Sequence, residues 1–267
     1  MKNFTCLIVF NICAVMACVQ TDGKIAGDAI SESGIAATMP EYPARVQDII
    51  LPASYKRLQA PNKSFAAYLK NLSLKKDKTV FLYNGSKKPN QHAQYAVLDI
   101  SVGNKDLQQC ADAVMRLRAE YFYAQGKLAS IEFYNGRREK INYAAWLGGR
   151  QSSREIFMKY LEHVFNYCGT ASLPYSLKKK PMAGMQVGDI LLKPGSPGHT
   201  VMVMDMAQND KGQKIYMLAQ SYMPAQDIHV LKNPMNAKLS PWYEINDKEV
   251  IDTPEWEFYS DQLYGWK

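Results

Sequence analysis

The chain has 267 residues, of which 47% are hydrophobic and 21% charged, and its formal net charge is +7. This length fits one large domain or two small ones and is enough for a substantial core. The basic residues are dispersed except at Lys75-Lys76 and Lys178 to Lys180. That pattern favours a solvated surface that meets anionic lipid or glycan, and we expect no nucleic-acid partner.

The first seventeen residues are organised like a signal peptide. Lys2 precedes a mostly apolar run, Phe4 to Ala17, which is shorter than the roughly 20 residues that span a bilayer. The run ends in Val15-Met16-Ala17-Cys18 and resembles the bacterial lipobox, whose cysteine is acylated and becomes the first mature residue. We therefore expect a cell-envelope protein, held at a membrane by lipid on Cys18 and lying on the periplasmic or outer-membrane side. The alternative is a cleaved secretory signal with an incidental cysteine.

Residues 18–45 are small and polar, with glycines and prolines that favour a flexible tether. Residues 46–267 are then expected to form a single globular domain. Its first half predicts mostly helices and short strands: a helix capped by Asn62, strands at Thr79–Tyr83 and Tyr95–Val102, a helix capped by Asp106, a strand at Ile131–Tyr134, and a helix opened by Ser152.

The second half, from Val187 onwards, has the patterns of β-strands. They are predicted at Asp189–Lys193, His199–Met206, Lys214–Ala219, His229–Leu231, Trp242–Ile245 and Trp256–Tyr259. Helices followed by an antiparallel sheet predict an α+β domain, with the N-terminal helices packed on a C-terminal sheet.

Metal and serine chemistry find little support in the motifs. The four histidines form no i, i+4 pair and have no carboxylate at ligand spacing, so we expect neither a metal nor another cofactor. The segment Gly195-Ser196-Pro197-Gly198 lacks the pattern of a nucleophile elbow and predicts a tight turn.

A cysteine near a helix start, followed by a histidine on a later strand, is the more specific pattern. Cys110 lies in about the first turn after Asp106, where the helix dipole stabilises a thiolate. Cys168 lies at the opposite end of its own helix, where the dipole disfavours one. Cys110 is therefore the candidate nucleophile. A place in the core and a disulfide with Cys168 remain the alternatives.

His199 is the candidate base because it starts an apolar strand directly after a turn. A four-residue hairpin loop at 209–212 would set His199 opposite Tyr222. Gln220 would then lie on the same face as His199, a diagonal neighbour about 7–8 Å away by Cα, able to orient the ring. A slip of one residue would put Ser221 there instead. A structural hydrogen bond at a turn is the alternative role for His199.

This order of elements resembles papain-like cell-wall amidases and peptidases of the CHAP type. The matching residues are Gly188-Asp189-Ile190, Gly198-His199 and Gln220. The resemblance implies a papain-like fold in which a thiol hydrolyses amide bonds of peptidoglycan or peptides, with Cys110, His199 and Gln220 or Ser221 as the site.

A second resemblance spans most of the mature chain. Leu107 to Tyr121, Ser196 to Thr200 and Leu218 to Pro234 are similar to a bacterial lipoprotein family catalogued as domain of unknown function 4846. It implies an envelope location and one domain, and no activity.

A rival hypothesis is a lipoprotein that binds carbohydrate or peptide without chemistry. The chain has 17 tyrosines, and tryptophans cluster near its end at Trp242, Trp256 and Trp266. Aromatic rings stack on sugar faces, although the same rings can fill the core of a β-rich lobe.

Overall fold

The structure is a computed structural model that describes residues 42–245 and 249–267. The predicted signal peptide, Cys18 and nearly all of the predicted tether lie outside the described residues. No helix in these ranges is both long enough and apolar enough to cross a membrane.

The described ranges contain four α-helices and thirteen strands, besides five short 3-10 helices. The helices are α1 (Phe65–Lys70), α2 (Cys110–Ala124), α3 (Tyr143–Leu147) and α4 (Arg154–Tyr167). The first six strands are β1 (Tyr55–Arg57), β2 (Gln94–Val97), β3 (Glu132–Tyr134), β4 (Lys140–Asn142), β5 (Leu177–Lys179) and β6 (Ile190–Lys193). The others are β7 (His199–Asn209), β8 (Lys214–Gln220), β9 (His229–Leu231), β10 (Trp242–Glu244), β11 (Val250–Asp252), β12 (Glu257–Tyr259) and β13 (Leu263–Trp266).

Nine strands form one antiparallel sheet around β7 and β8. The order is β2-β9-β8-β7-β6-β13-β5, with β1 added to β7 and β10 added to β8. The β3-β4 and β11-β12 pairs are separate two-stranded ribbons. The predicted α+β class is confirmed. The sheet gains β1, β2 and β5 from before residue 187 and β13 from the end of the chain, whereas the strand predicted at Trp256–Tyr259 lies in a separate ribbon.

The sheet is buried on both faces. Side chains of β7 alternate between a main core shared with the helices, which includes Met202 and Met204, and a second core that includes Val201 and Val203. The second core lies under the β11-β12 ribbon, with Ile251 and Phe258 in it. Covering both faces explains why β7 is buried from His199 to Ala207 and contains the unbroken apolar run Val201 to Met204.

A β-bulge decides which residues of β8 lie beside His199. Near the turn, Gln208 pairs with Lys214, one residue away from the predicted pairing with Gln213. The register shifts between Val203 and Asp205, and beyond that point Met202 pairs with Ala219. The bulge inserts one residue into β7 and so cancels the offset, which returns Gln220 to the diagonal position beside His199.

The helices begin later than predicted. Ser64 caps α1 in place of Asn62, and Ser153 caps α4 in place of Ser152, whose hydroxyl instead bonds the phenol of Tyr143. The N-cap of α2 is Gln109, because the Asp106 carboxylate accepts a hydrogen bond from the Ala225 N–H. The predicted caps Ser152 and Asp106 have partners elsewhere in the fold, and the Asn62 side chain accepts from the adjacent Lys63 N–H.

The predicted strand at Thr79–Tyr83 is wrong. Only isolated bridges form there, from Phe81 to Lys87 and from Leu82 to Gln226. The Asp227 carboxylate accepts a hydrogen bond from the Phe81 N–H, so a side chain takes the place of a ladder partner.

Candidate active site

One cavity brings together residues from distant parts of the chain. It has a volume of about 670 Å³, and Cys110, Cys168, His199, Tyr222 and Trp256 lie on its wall. Cys110 is the first residue of α2, and its side chain is partly exposed. A thiol at a helix start that reaches solvent meets the first condition for a nucleophile.

Two sets of hydrogen bonds hold the segment before α2 against the residues that follow β8. The Ser221 hydroxyl lies 2.8 Å from the carbonyl oxygens of both Gln108 and Gln226. The Asp106 carboxylate accepts from the Ala225 N–H at 2.7 Å. Cys110 therefore sits beside the strands that carry His199 and Gln220, although more than 80 residues separate it from either.

The sulfur of Cys110 faces backbone donors. The N–H groups of Thr200, Ala111 and Cys110 itself favour its thiolate. Burial outweighs them, and Asp112 opposes them too, so the pKa of the Cys110 thiol is raised to about 11. The resting group is a neutral thiol. In the described residues no hydrogen bond joins it to His199, and such catalytic contacts are often loose before substrate binds.

His199 is oriented by Gln220. The Nε2 of the imidazole lies 2.8 Å from Oε1 of the Gln220 amide. A carbonyl oxygen only accepts hydrogen bonds, so Nε2 carries the proton and Nδ1 keeps a free lone pair. This tautomer leaves Nδ1 as the basic nitrogen of the ring.

The Gln220 amide is itself locked in one orientation. Its Nε2 donates to the Glu255 carboxylate at 2.8 Å and lies 3.5 Å from Nε2 of His229. The His229 Nδ1–H donates to the Asp227 carbonyl at 2.9 Å, so its Nε2 is free to accept. A flipped amide would set its oxygen against a carboxylate, and the assignment of Oε1 to His199 follows.

Glu255 is held in turn by one cation and one amide from the first half of the chain. Lys88 Nζ lies 2.5 Å from its Oε2, and Asn90 Nδ2 donates to its Oε1 at 3.0 Å. The side chains of Lys88 and Glu255 are 4% and 13% exposed. Sequence reasoning missed both residues, since isolated charges in loops have no periodic pattern to mark them.

Aromatic rings enclose the imidazole. Ring centroids of Tyr222, Trp256 and Phe258 lie 4.7, 5.2 and 5.8 Å from that of His199. Burial lowers the pKa of His199 to about 4; the hydrogen bond to Gln220 opposes this and Lys88 adds to it. The ring is therefore neutral at physiological pH and able to accept a proton.

Gly198 leaves no space for a side chain in front of His199. A Cβ there would lie 2.3 Å from the Gly195 carbonyl oxygen and 2.6 Å from Thr170 Oγ1. The Gly-His pair thus reflects close packing of the 195–198 turn. Asp189 of the preceding Gly-Asp pair is buried against Lys180 at 2.5 Å and has a structural role.

The other sequence candidates take different places. The Ser221 hydroxyl bonds the Gln108 and Gln226 carbonyls, and within the described residues no hydrogen bond joins it to the imidazole. Cys168 is a free thiol on the cavity wall, as Cys110 is, so the structure contains no disulfide between them. Trp242 and Tyr243 are each 1% exposed and fill the core. Of the aromatic cluster, only Trp256 reaches this cavity.

A comparison with family profiles matches residues 46–264 to the family described as Domain of unknown function (4846). The chain belongs to this family. No curated protein and no solved structure shows significant similarity to it. The matched range of this Domain of unknown function (4846) member contains Cys110, His199, Gln220, Glu255 and Lys88.

Proposed function

We propose that this protein is a papain-like thiol hydrolase of the cell envelope, which cleaves amide bonds in peptidoglycan or peptides. The observation that carries the proposal is the hydrogen bond of 2.8 Å between His199 Nε2 and Gln220 Oε1, beside a cavity that also exposes Cys110. A nucleophile, a base and a group that orients the base form the arrangement that covalent catalysis needs.

The first half of the reaction makes a thioester. The Cys110 S–H gives its proton to Nδ1 of His199 as the sulfur attacks the carbonyl carbon of the amide. The N–H groups at the start of α2 are available to stabilise the oxyanion. The C–N bond then breaks, and the imidazolium returns the proton to the leaving amine.

The second half restores the enzyme. A water molecule gives a proton to His199 and attacks the thioester carbonyl, and the C–S bond breaks. The sulfur takes up the proton and a carboxylic acid leaves. Through both halves Gln220 holds the ring by Nε2, while Glu255 and His229 act as positioning residues that stop the amide from rotating.

The decisive experiment follows the release of new amino groups from purified cell wall and from a peptide mixture. Cys110→Ala is compared with Cys168→Ala, a matched variant because both thiols lie on the same cavity wall. We expect the wild-type chain and Cys168→Ala to release amines and Cys110→Ala to release none. Mass spectrometry after acid quench should find an acyl group on Cys110.

Two results would refute the hydrolase. Release that survives Cys110→Ala would assign the chemistry to another group. Wall binding by the wild-type chain with no release and no acyl adduct would favour the rival function, a lipoprotein that binds glycan or peptide.

We also propose lipid anchoring at Cys18, since its sequence context resembles a lipobox. In cells fed a radiolabelled fatty acid, the wild-type chain should be labelled and sediment with membranes. Cys18→Ser should lose the label, whereas Cys13→Ser should keep it. Equal labelling of the two variants would contradict this assignment.

A further inference from the structure

A second cavity, of about 510 Å³, lies on the far part of α2. Its wall includes Arg118, Phe122, Tyr134, Tyr175 and Trp266. None of the residues in the proposed catalytic site contributes to it. At 1.5 Å per residue, Arg118 lies about 12 Å along the helix from Cys110, so the two cavities are separate features.

Arg118 is caged by aromatic rings. Its guanidinium carbon lies 4.5 Å from the ring centroid of Phe122, 4.9 Å from that of Phe65 and 5.2 Å from that of Trp266. Rings at these distances attract the cation through their π faces and offer no hydrogen-bond acceptor, so the guanidinium N–H groups remain available to other partners.

The edge of this guanidinium has no partner among residues 42–245 and 249–267. The other arginines of α2 and α4 contrast with it: Arg116 and Arg154 both pair with Glu120. The structure has a few fully buried side-chain N and O atoms that lack a hydrogen bond, and the Arg118 nitrogens do not belong to this group. They therefore keep some accessible surface, and Arg118 lies on the cavity wall. Burial lowers the pKa of Arg118 to about 10, which still leaves it charged.

The charges on the wall favour a ligand with one negative charge. The charged side chains there are those of Arg118, Lys267 and Glu132, which sum to +1. Glu132 already pairs with Lys140 at 3.0 Å, and Lys267 Nζ donates to the Tyr175 carbonyl at 2.7 Å. One unpaired guanidinium edge matches one carboxylate, which it can bind through two parallel hydrogen bonds.

We propose that this cavity is a binding site for an organic carboxylate, with Arg118 as the anion-binding residue and the aromatic wall as the seat for the ligand's body. The volume suits a small molecule. The site shares no lining residue with the proposed catalytic cavity, so this ligand-binding function does not rest on the proposed hydrolase.

The test uses the full chain, sodium benzoate as the probe and benzamide as its neutral isostere. Nitrogen-15 NMR follows the arginine Nε–H resonances, and the Arg118 signal is assigned by its loss in Arg118→Met. Benzoate should shift that resonance and bind with a measurable dissociation constant, while benzamide should leave it unmoved. Arg118→Met should weaken binding about tenfold or more.

Arg150→Met is the matched control, because Arg150 also stacks on a tryptophan, at 4.8 Å from the Trp146 ring, but is not on this wall. It should bind benzoate within about twofold of the wild-type chain. If Arg118→Met fails to fold, Arg118→Lys replaces it, both to assign the Arg118 resonance of the wild-type chain and to measure the loss of binding. Equal binding of benzamide, or no shift, would overturn the site, and tighter binding of inorganic phosphate would overturn its assignment to carboxylates.

Discussion

At the scale of single residues, the site has a neutral resting state. Burial raises the pKa of Cys110 to about 11 and lowers that of His199 to about 4. A thiol and an imidazole with these values do not exchange a proton at rest. The proton is expected to move only when a carbonyl carbon is present to receive the sulfur, which is general-base catalysis in place of a preformed ion pair.

The alkylation rate of Cys110 should reveal this state. In a Cys168→Ser background, which leaves Cys110 as the single thiol of the described residues, the rate with iodoacetamide should rise about tenfold per pH unit from pH 7 to 9, because the thiolate is the reactive form. The measurement is loss of free thiol over time. A rate that is already high and flat between pH 5 and 7 would show a thiolate–imidazolium pair and contradict the neutral state.

At the scale of elements, a buried carboxylate joins β1, α1 and β7. Asp205 has no exposed surface, and Arg57 Nε lies 2.7 Å from it, with Lys70 Nζ at 3.3 Å. The carboxylate also accepts from the Met206 N–H at 2.9 Å. Asp205 lies directly after the bulged region of β7, so this cluster secures the strand that carries His199 at its other end.

Arg57→Met should destabilise the fold by about 2–3 kcal/mol, because it leaves the buried Asp205 charge with one weaker partner. Urea unfolding followed by circular dichroism would measure it. Lys56→Met is the matched control: its pair with Asp210 is 80% and 82% exposed and should be worth less than about 0.5 kcal/mol. Equal losses in the two variants would show that burial does not decide the value of these pairs.

At the scale of the whole molecule, buried titratable groups lower the stability of the fold at both the acidic and the alkaline end of the pH range. His199 and His229 have folded pKa values of about 4 and about 3 against an ordinary 6.5. Their contribution to the free energy of unfolding is present above pH 6.5 and is lost as the pH falls through the folded pKa values. Asp112 has its pKa raised by burial to about 8 from 3.8, so its contribution is full below 3.8 and is lost as pH rises through 8.

Asp112→Asn should therefore flatten the alkaline limb of the stability curve. The wild-type Tm should fall between pH 6 and 8.5 while that of the variant changes little, because asparagine needs no charge and can still accept from the Gln109 N–H. Calorimetry across this range is the measurement. Asp210→Asn, at an exposed position, should follow the wild-type curve, and parallel curves for all three chains would contradict the assignment to Asp112.

The amino-acid order by itself determined the class of fold and the core strands. Alternation and turn residues placed strands at His199, Lys214 and His229, and the α+β class is confirmed by the nine-stranded sheet. The resemblance to the domain of unknown function 4846 family is likewise confirmed. These features depend on neighbours within a few positions, and such local patterns can be read directly.

Tertiary structure alone decided the surroundings of the site. The bulge near Met204, the start of α2 at Cys110 and the Lys88–Glu255 pair depend on which distant segments meet. Lys88 and Glu255 lie 167 positions apart, and nothing in either loop signals the other. A long-range ion pair forms only when the whole chain has folded and brings the two loops together, so local sequence periodicity cannot predict it.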